Sequence, residues 1–166
     1  GSFVITGGLG GLGLRAAMLL GSHGSAHVLL ASRSGRVAHG GHLDEMQLAS
    51  VRGIAIVMSC DAASAADIGS MLRHAPRLTG ILHAAGVSDA GLVADAELRG
   101  FASMCAPKSG GAWHLRCAST TASLDSVVLF SSVGSGLGNV GQASYATANA
   151  WLDAHALLQR RLGLAA

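Results

Sequence analysis

Ser2-Phe3-Val4-Ile5-Thr6-Gly7-Gly8-Leu9-Gly10-Gly11-Leu12-Gly13 opens the chain, and its reading decides the fold. Ser2–Thr6 is a short apolar run with β-branched and aromatic side chains, which reads as a buried strand. An Ala- and Leu-rich segment with helical spacing, Gly11–His23, follows the glycines. Strand, glycine turn and helix in this order give a glycine pattern its chemical meaning. Glycine lets the backbone turn sharply and come close to a pyrophosphate. The helix N-terminus then offers it free N–H groups and the positive end of a dipole. Thr6, Gly7, Gly8, Leu9, Gly10, Gly11, Leu12 and Gly13 are therefore expected to cradle a dinucleotide.

Working outward, the end of the next strand selects the cofactor. An NAD site usually carries a carboxylate about 20 residues beyond the glycines, where it holds the ribose 2′-hydroxyl. Here the chain reads Leu30-Ala31-Ser32-Arg33-Ser34, and no acid lies between Gly7 and Asp44. Arg33, with Ser32 beside it, stands where a 2′-phosphate would lie, which points to NADPH. Cys60-Asp61 ends a third strand and His83-Ala84-Ala85-Gly86 a fourth. The carboxyl ends of strands line the ligand crevice in this architecture, so these six residues join the expected cofactor set. Asp61 is placed to accept a hydrogen bond from the adenine amino group.

The same alternation continues along the chain. Strands are expected at Ser2–Thr6, Ala26–Ala31, Gly53–Ser59, Leu78–Ala84 and Ser126–Ser131, each apolar enough to be buried on both faces. Helices are expected at Gly11–His23, Leu43–Arg52, Ser64–Ala75, Asp95–Ala118 and Ser144–Leu162, with Pro107 kinking the fourth or starting a new turn in it. Five β-α units in strict order predict an α/β fold with a doubly wound parallel sheet, Rossmann-like.

Composition narrows the function classes. Charged residues make up 12% of the chain and the net charge is +2, which is no footprint for nucleic acid or an anionic membrane. No apolar run reaches the ~20 residues of a membrane span. Cys60, Cys105 and Cys117 are odd in number and widely separated, which fits a reducing, cytoplasmic setting. His39-x-x-His42 has a spacing that metals use, but no further ligand cluster accompanies it, so no metal is expected. Gly-x-Ser-x-Gly and Gly-Lys-Ser/Thr motifs are absent, which disfavours hydrolase and P-loop chemistry.

Tyr145 is the only Tyr and Lys108 the only Lys. Tyr145 and Asn149 lie four apart at the start of the last helix and so share a face. Ser131-Ser132 ends the fifth strand, across a glycine loop from Tyr145. A strand-end hydroxyl and a phenol so arranged can converge on one carbonyl oxygen.

With the glycine motif, these residues carry a family resemblance. Thr6 to Gly13, Ser32-Arg33, His83-Ala84-Ala85-Gly86-Val87, Ala106-Pro107-Lys108, Phe130-Ser131-Ser132-Val133 and Tyr145-Ala146-Thr147-Ala148-Asn149 span most of the chain. The sequence resembles the ketoreductase domain of modular polyketide synthases and animal-type fatty acid synthases, within the short-chain dehydrogenase/reductase superfamily. In ordinary superfamily members a Lys follows the Tyr by four residues; here Asn149 holds that place and Lys108 lies upstream, as in the synthase ketoreductases.

The resemblance implies Tyr145 as proton donor, Ser132 as hydrogen-bond donor to the substrate carbonyl, and Lys108 and Asn149 as supporting groups. A free phenol has a pKa of about 10, and an ammonium nearby makes proton release easier. It also implies NADPH as reductant, a β-ketoacyl thioester on the phosphopantetheine of an acyl carrier protein as substrate, and neighbouring synthase domains as partners. The competing expectation is a catalytically silent nucleotide-binding or scaffolding domain within a synthase.

The sequence departs from the family pattern in three places. Ser34 stands where many members have a second arginine. Ser88-Asp89-Ala90 lacks the second acid of one stereochemical class, and Leu137 replaces the Trp of the other, so the alcohol configuration stays open. Without an initiator Met, and with a strand starting at once, residues 1–166 read as a single catalytic domain cut from a longer chain. The resemblance expects a further strand and a lid after the tyrosine helix, and a noncatalytic half before the glycine loop.

Overall fold

The computed structural model describes residues 1–24, 27–37, 42–88 and 98–165. Five strands, β1 (Ser2–Thr6), β2 (His27–Ser32), β3 (Ala55–Ser59), β4 (Leu78–His83) and β5 (Ser126–Leu129), pair in parallel in the order β3-β2-β1-β4-β5. Around them lie α1 (Gly11–Ser22), α2 (His42–Val51), α3 (Ala65–Leu72), α4 (Leu98–Cys105), α5 (Gly111–Ala118), α6 (Gly134–Leu137) and α7 (Ala143–Arg161). This is the expected Rossmann-like, doubly wound sheet.

The two-residue period of the strands divides the core. Val4, Leu29 and Ile81 point to one face, where Ile68 and Met71 of α3 and Leu115 of α5 cover them. Ile5, Leu30 and Leu82 point to the other, against Leu14 and Ala17 of α1 and Val51 of α2. Burial on both faces holds for β1, β2 and β4 but not for the outer strands. Ile56 and Val57 of β3 are 54% and 39% exposed, and Val128 of β5 is 43% exposed. Among the described residues β3 and β5 are the outermost strands of the sheet, each paired on one side.

Several boundaries differ from expectation for local reasons. α3 is capped by Ser64, the first residue of the expected helix, with its Oγ accepting the Asp67 amide, but it ends at Leu72 and not at Ala75. Beyond it the His74 and Ala75 amides reach back only three residues, to Met71 and Leu72 carbonyls. β5 stops before Phe130 because the chain there turns to serve side chains of other elements, described below. The expected fourth helix is three pieces where it is described: α4, a π turn over Ala106–Gly110, and α5. Proline offers no N–H and crowds the carbonyl four residues back, and the wider turn admits Pro107 without breaking the rod. α6 lies in a Gly- and Ser-rich stretch that carries no helical pattern. No helix among the described residues is long and apolar enough to cross a membrane.

Candidate active site

β1 is the switch point of the sheet: the chain winds out through β2 and β3 on one side and through β4 and β5 on the other. A cleft of about 710 Å³ opens there. Gly7 takes φ +68 at the end of β1, and a Cβ on it would lie 2.6 Å from the backbone carbonyl of Ala84. The turn therefore lies flat on the end of β4. Gly13 is closed in the same way, with a Cβ falling 2.5 Å from the Gly7 oxygen. Gly10 and Gly11 differ: a Cβ on Gly10 would meet only the Gly7 oxygen at 3.4 Å, and one on Gly11 nothing within 4 Å. The first pair shapes the loop, and the second keeps open space at the α1 N-terminus, where the first turn holds no acidic residue. That open cradle suits a pyrophosphate.

The cleft wall includes Thr6, Gly7, Leu9 and Gly10 of the glycine turn, and Ser32 and Arg33 after β2. It continues through Cys60 and Asp61, then Ala84, Ala85 and Gly86. Other expected residues do not line it. Gly8 and Gly13 are packed inside the turn, Gly11 stands at the helix start, and the Leu12 side chain is 61% exposed. Leu9 contributes backbone, since its side chain is core. Asp61 keeps one oxygen on the Ala63 amide at 3.0 Å. The Cys60 thiol is pushed up to about 11, by burial first and then by Asp67 and Asp61, so it is no thiolate nucleophile.

His83 is the clearest departure. Its ring is fully buried and both nitrogens are engaged, Nδ1 with Thr6 Oγ1 at 2.6 Å and Nε2 with the Lys108 carbonyl at 2.8 Å. A carbonyl only accepts, so Nε2 carries the proton and Nδ1 accepts from the Thr6 hydroxyl. Burial lowers its pKa from 6.5 to about 4; the hydrogen bonds to the Lys108 and Pro107 carbonyls oppose that shift, and the Lys108 charge adds to it. The side chain braces the protein and does not face the cleft.

Beyond Gly86 the cleft reaches Pro107, and behind it stands Lys108. Its side chain is 5% exposed, and a Cβ on Gly86 would fall 2.8 Å from its Cε, so the glycine makes room for the stem. Nζ donates to Asn149 Oδ1 at 2.8 Å and to the Phe130 carbonyl at 2.9 Å, and lies 5.4 Å from the centre of the Tyr145 ring. The last distance is within cation–π range. Burial lowers the Lys108 pKa, and the Asp153 carboxylate works against that shift. Asn149 is fully buried and its Nδ2 donates to the Tyr145 carbonyl at 2.8 Å.

The two serines after β5 have different tasks. Ser131 Oγ donates to the Asn149 carbonyl at 3.3 Å and is tied to α7. Ser132 Oγ accepts the Gly134 amide at 3.2 Å, which leaves its proton free to donate elsewhere. Asp153 joins the group through Ser135, whose hydroxyl lies 2.7 Å from Asp153 Oδ2. Among the described residues the Tyr145 hydroxyl has no hydrogen-bond partner.

Sequence reasoning missed the cleft residues Arg36 and Ala62, the Phe130 carbonyl and Asp153, and quoted Val87 and Pro107 only as motif residues. Arg36 carries a signal in retrospect, since Ser34-Gly35 before it is turn chemistry. No group of three His, Cys, Asp or Glu side chains among the described residues could hold a metal. His39, the His42 side chain and Asp89-Ala90 lie outside them. Leu137 is 87% exposed at the end of α6.

A family model described as "KR domain" matches residues 1–166. The spectinabilin polyketide synthase system protein NorB of Streptomyces orinoci is 41% identical over 175 residues, covering 100% of this chain and 8% of that protein. Erythronolide synthase EryA2 of Saccharopolyspora erythraea is 39% identical, covering 100% of this chain and 5% of its own length. Among solved structures, A-type ketoreductases from a modular polyketide synthase superpose with a TM-score of 0.90 at 39% identity, over 99% of this chain and 35% of theirs. This chain thus spans less than a tenth of those synthases and about a third of that solved chain.

Proposed function

The chain belongs to the KR domain family, the ketoreductase domains of polyketide synthases, and from that premise we propose that it reduces a β-ketoacyl thioester to the β-hydroxyacyl thioester with NADPH. The substrate is carried on an acyl carrier protein, and the domain works beside other domains of a cytoplasmic synthase. The observation that most supports this reading is the Lys108 ammonium, buried between Asn149 Oδ1 and the Phe130 carbonyl under the Tyr145 ring.

The cleft at the α1 N-terminus has the room and the donors to hold the cofactor: the open cradle at Gly10 and Gly11 for the pyrophosphate, and Arg33 with Ser32 for the 2′-phosphate. Bound there, NADPH supplies the hydride for the ketone carbon. Negative charge then builds on the carbonyl oxygen. The free Ser132 proton gives that oxygen a fixed dipole, as an oxyanion donor does. Tyr145 delivers the proton, so that C=O becomes CH–OH. Lys108 stabilises the phenolate left behind, and Asn149 keeps Lys108 under the ring.

Mixing the protein with NADPH and a β-ketoacyl thioester of a small thiol tests this. Stoichiometric oxidation of the nucleotide with appearance of the β-hydroxy product is expected. Nucleotide binding without turnover would mark a silent scaffolding domain instead.

A further inference from the structure

The turn after β2 reads Ser32-Arg33-Ser34-Gly35-Arg36, and its hydrogen bonds are directed at Arg36. Ser34 Oγ accepts the Arg36 amide at 3.2 Å and donates to the Arg36 carbonyl at 3.3 Å. Gly35 between them has φ +63, a left-handed angle that strains any side chain. The space around it is ordinary, since a Cβ there would lie 3.5 Å from Ser59 N, so the backbone angle and not crowding calls for glycine. This reversal puts Arg36 on the cleft wall together with Arg33 and Ser34. Arg33 is fixed separately, by Ser59 Oγ donating to its carbonyl at 2.7 Å.

Both guanidiniums are exposed. Among the described residues, neither makes a side-chain hydrogen bond or an ion pair. Two unmatched cations on one concave wall repel each other and are stabilised by an anion with enough oxygens for both. A phosphate monoester offers three oxygens and nearly two charges, and each guanidinium fork engages two acceptors at once. We propose that Arg36 is a second arm on the 2′-phosphate of the adenosine ribose, beside Arg33, and that Ser34 and Gly35 position it. The place of Ser34 in sequence is thus taken over in space by the residue two further on. This inference rests on the NADPH reading above.

Calorimetric titration with adenosine 2′,5′-bisphosphate and adenosine 5′-monophosphate tests it without turnover. Arg36→Ala should weaken the bisphosphate roughly 10-fold, the low end for a charge-assisted contact because the side chain is exposed. The monophosphate should bind as before, and Arg36→Lys should recover part of the loss. Ser34→Ala should weaken the bisphosphate by a smaller factor, since it only loosens the turn. The double variant Arg33→Ala/Arg36→Ala should no longer distinguish the two nucleotides. An Arg36→Ala protein that binds the bisphosphate like wild type, while Arg33→Ala does not, overturns the role of Arg36 and leaves NADPH standing. Equal weakening of both nucleotides also overturns it, by reducing Arg36 to a general charge. If wild type itself makes no distinction, the NADPH reading falls and takes this proposal with it.

Discussion

At one end of the cleft the surface is backbone and exposed side chains: Gly10 and Gly11 stand in open space, and Arg33 and Arg36 reach in from the rim. At the other end Lys108 and Asn149 are almost wholly buried and hold each other across 41 residues of sequence. The first region offers a ligand groups that are already paired or solvated, so changing one should cost only its own contact. In the second, each polar group is the partner of another, and removing one leaves its neighbour unsatisfied in a poorly solvated place. Binding and chemistry should therefore fail separately, and failures at the reacting end should be larger.

The sharpest way to break this contrast is Tyr145→Phe. Removing the phenolic proton should lower turnover by roughly 10²- to 10⁴-fold, while the dissociation constant for NADPH stays near wild type. Stopped-flow reduction paired with nucleotide fluorescence reads both. A parallel loss of cofactor affinity would show that the two ends are one unit.

Acid should act through the interior next. In the unfolded chain His83 takes up a proton near 6.5, and in the fold only near 4. Between these values the unfolded state binds more protons, so stability falls as pH drops, by roughly 3 kcal/mol over the whole window. Urea midpoints at pH 7 and pH 4.5 should show this loss, and His83→Gln should show much less of it. An equal acid loss in that variant would assign the effect to other groups, such as His155, whose pKa burial also lowers.

Asn149→Ala leaves the Lys108 ammonium with the Phe130 carbonyl alone and the Tyr145 carbonyl with one donor fewer. A loss of about 1–3 kcal/mol in stability is expected, with reduced turnover and unchanged cofactor binding. Thermal melts and single-turnover rates check it; a stable, fully active variant would make Asn149 a packing residue.

Arg33→Ala should have the smallest effect. NADPH should weaken about 10-fold and NADH not at all, with turnover at saturating NADPH retained. Titrating both nucleotides decides it, and equal weakening would leave Arg33 a surface charge.

The glycine end is legible in the sequence because its geometry is local. Gly13 is forced by contacts with Gly7 and Gly8 of the same turn and Gly7 by its left-handed φ there, although its closest contact is with Ala84 beyond β4; the β-α alternation follows from runs of apolar residues. At the reacting end spacing brings Tyr145 and Asn149 to one face and Ser131-Ser132 near them, but Lys108 enters only through resemblance to a known family, because its bond to Asn149 leaves no mark in either local stretch. His83 misleads for the same reason. Its position at a strand end is right for a cofactor contact, yet the ring turns inward to partners 77 and 25 residues away. Arg36 escapes notice because the turn that returns it depends on the Gly35 dihedral. The π turn is half-visible: Pro107 announces an interruption, but not that the rod continues beyond it in a new phase.

That inward turn of His83 would set a mechanical tolerance for the proposed reaction. Thr6 ends the strand that carries the glycine loop, and the Lys108 carbonyl belongs to the residue beneath the Tyr145 ring. One rigid five-membered ring, hydrogen-bonded at both edges, spans from one to the other. Positional error between the glycine loop and the phenol therefore accumulates over two short hydrogen bonds and an inflexible spacer, and not over the long loops that separate them in the chain. Productive geometry must be kept to about 0.5 Å. A buried imidazole meets that requirement better than a flexible side chain could, and it can do so only while it remains uncharged.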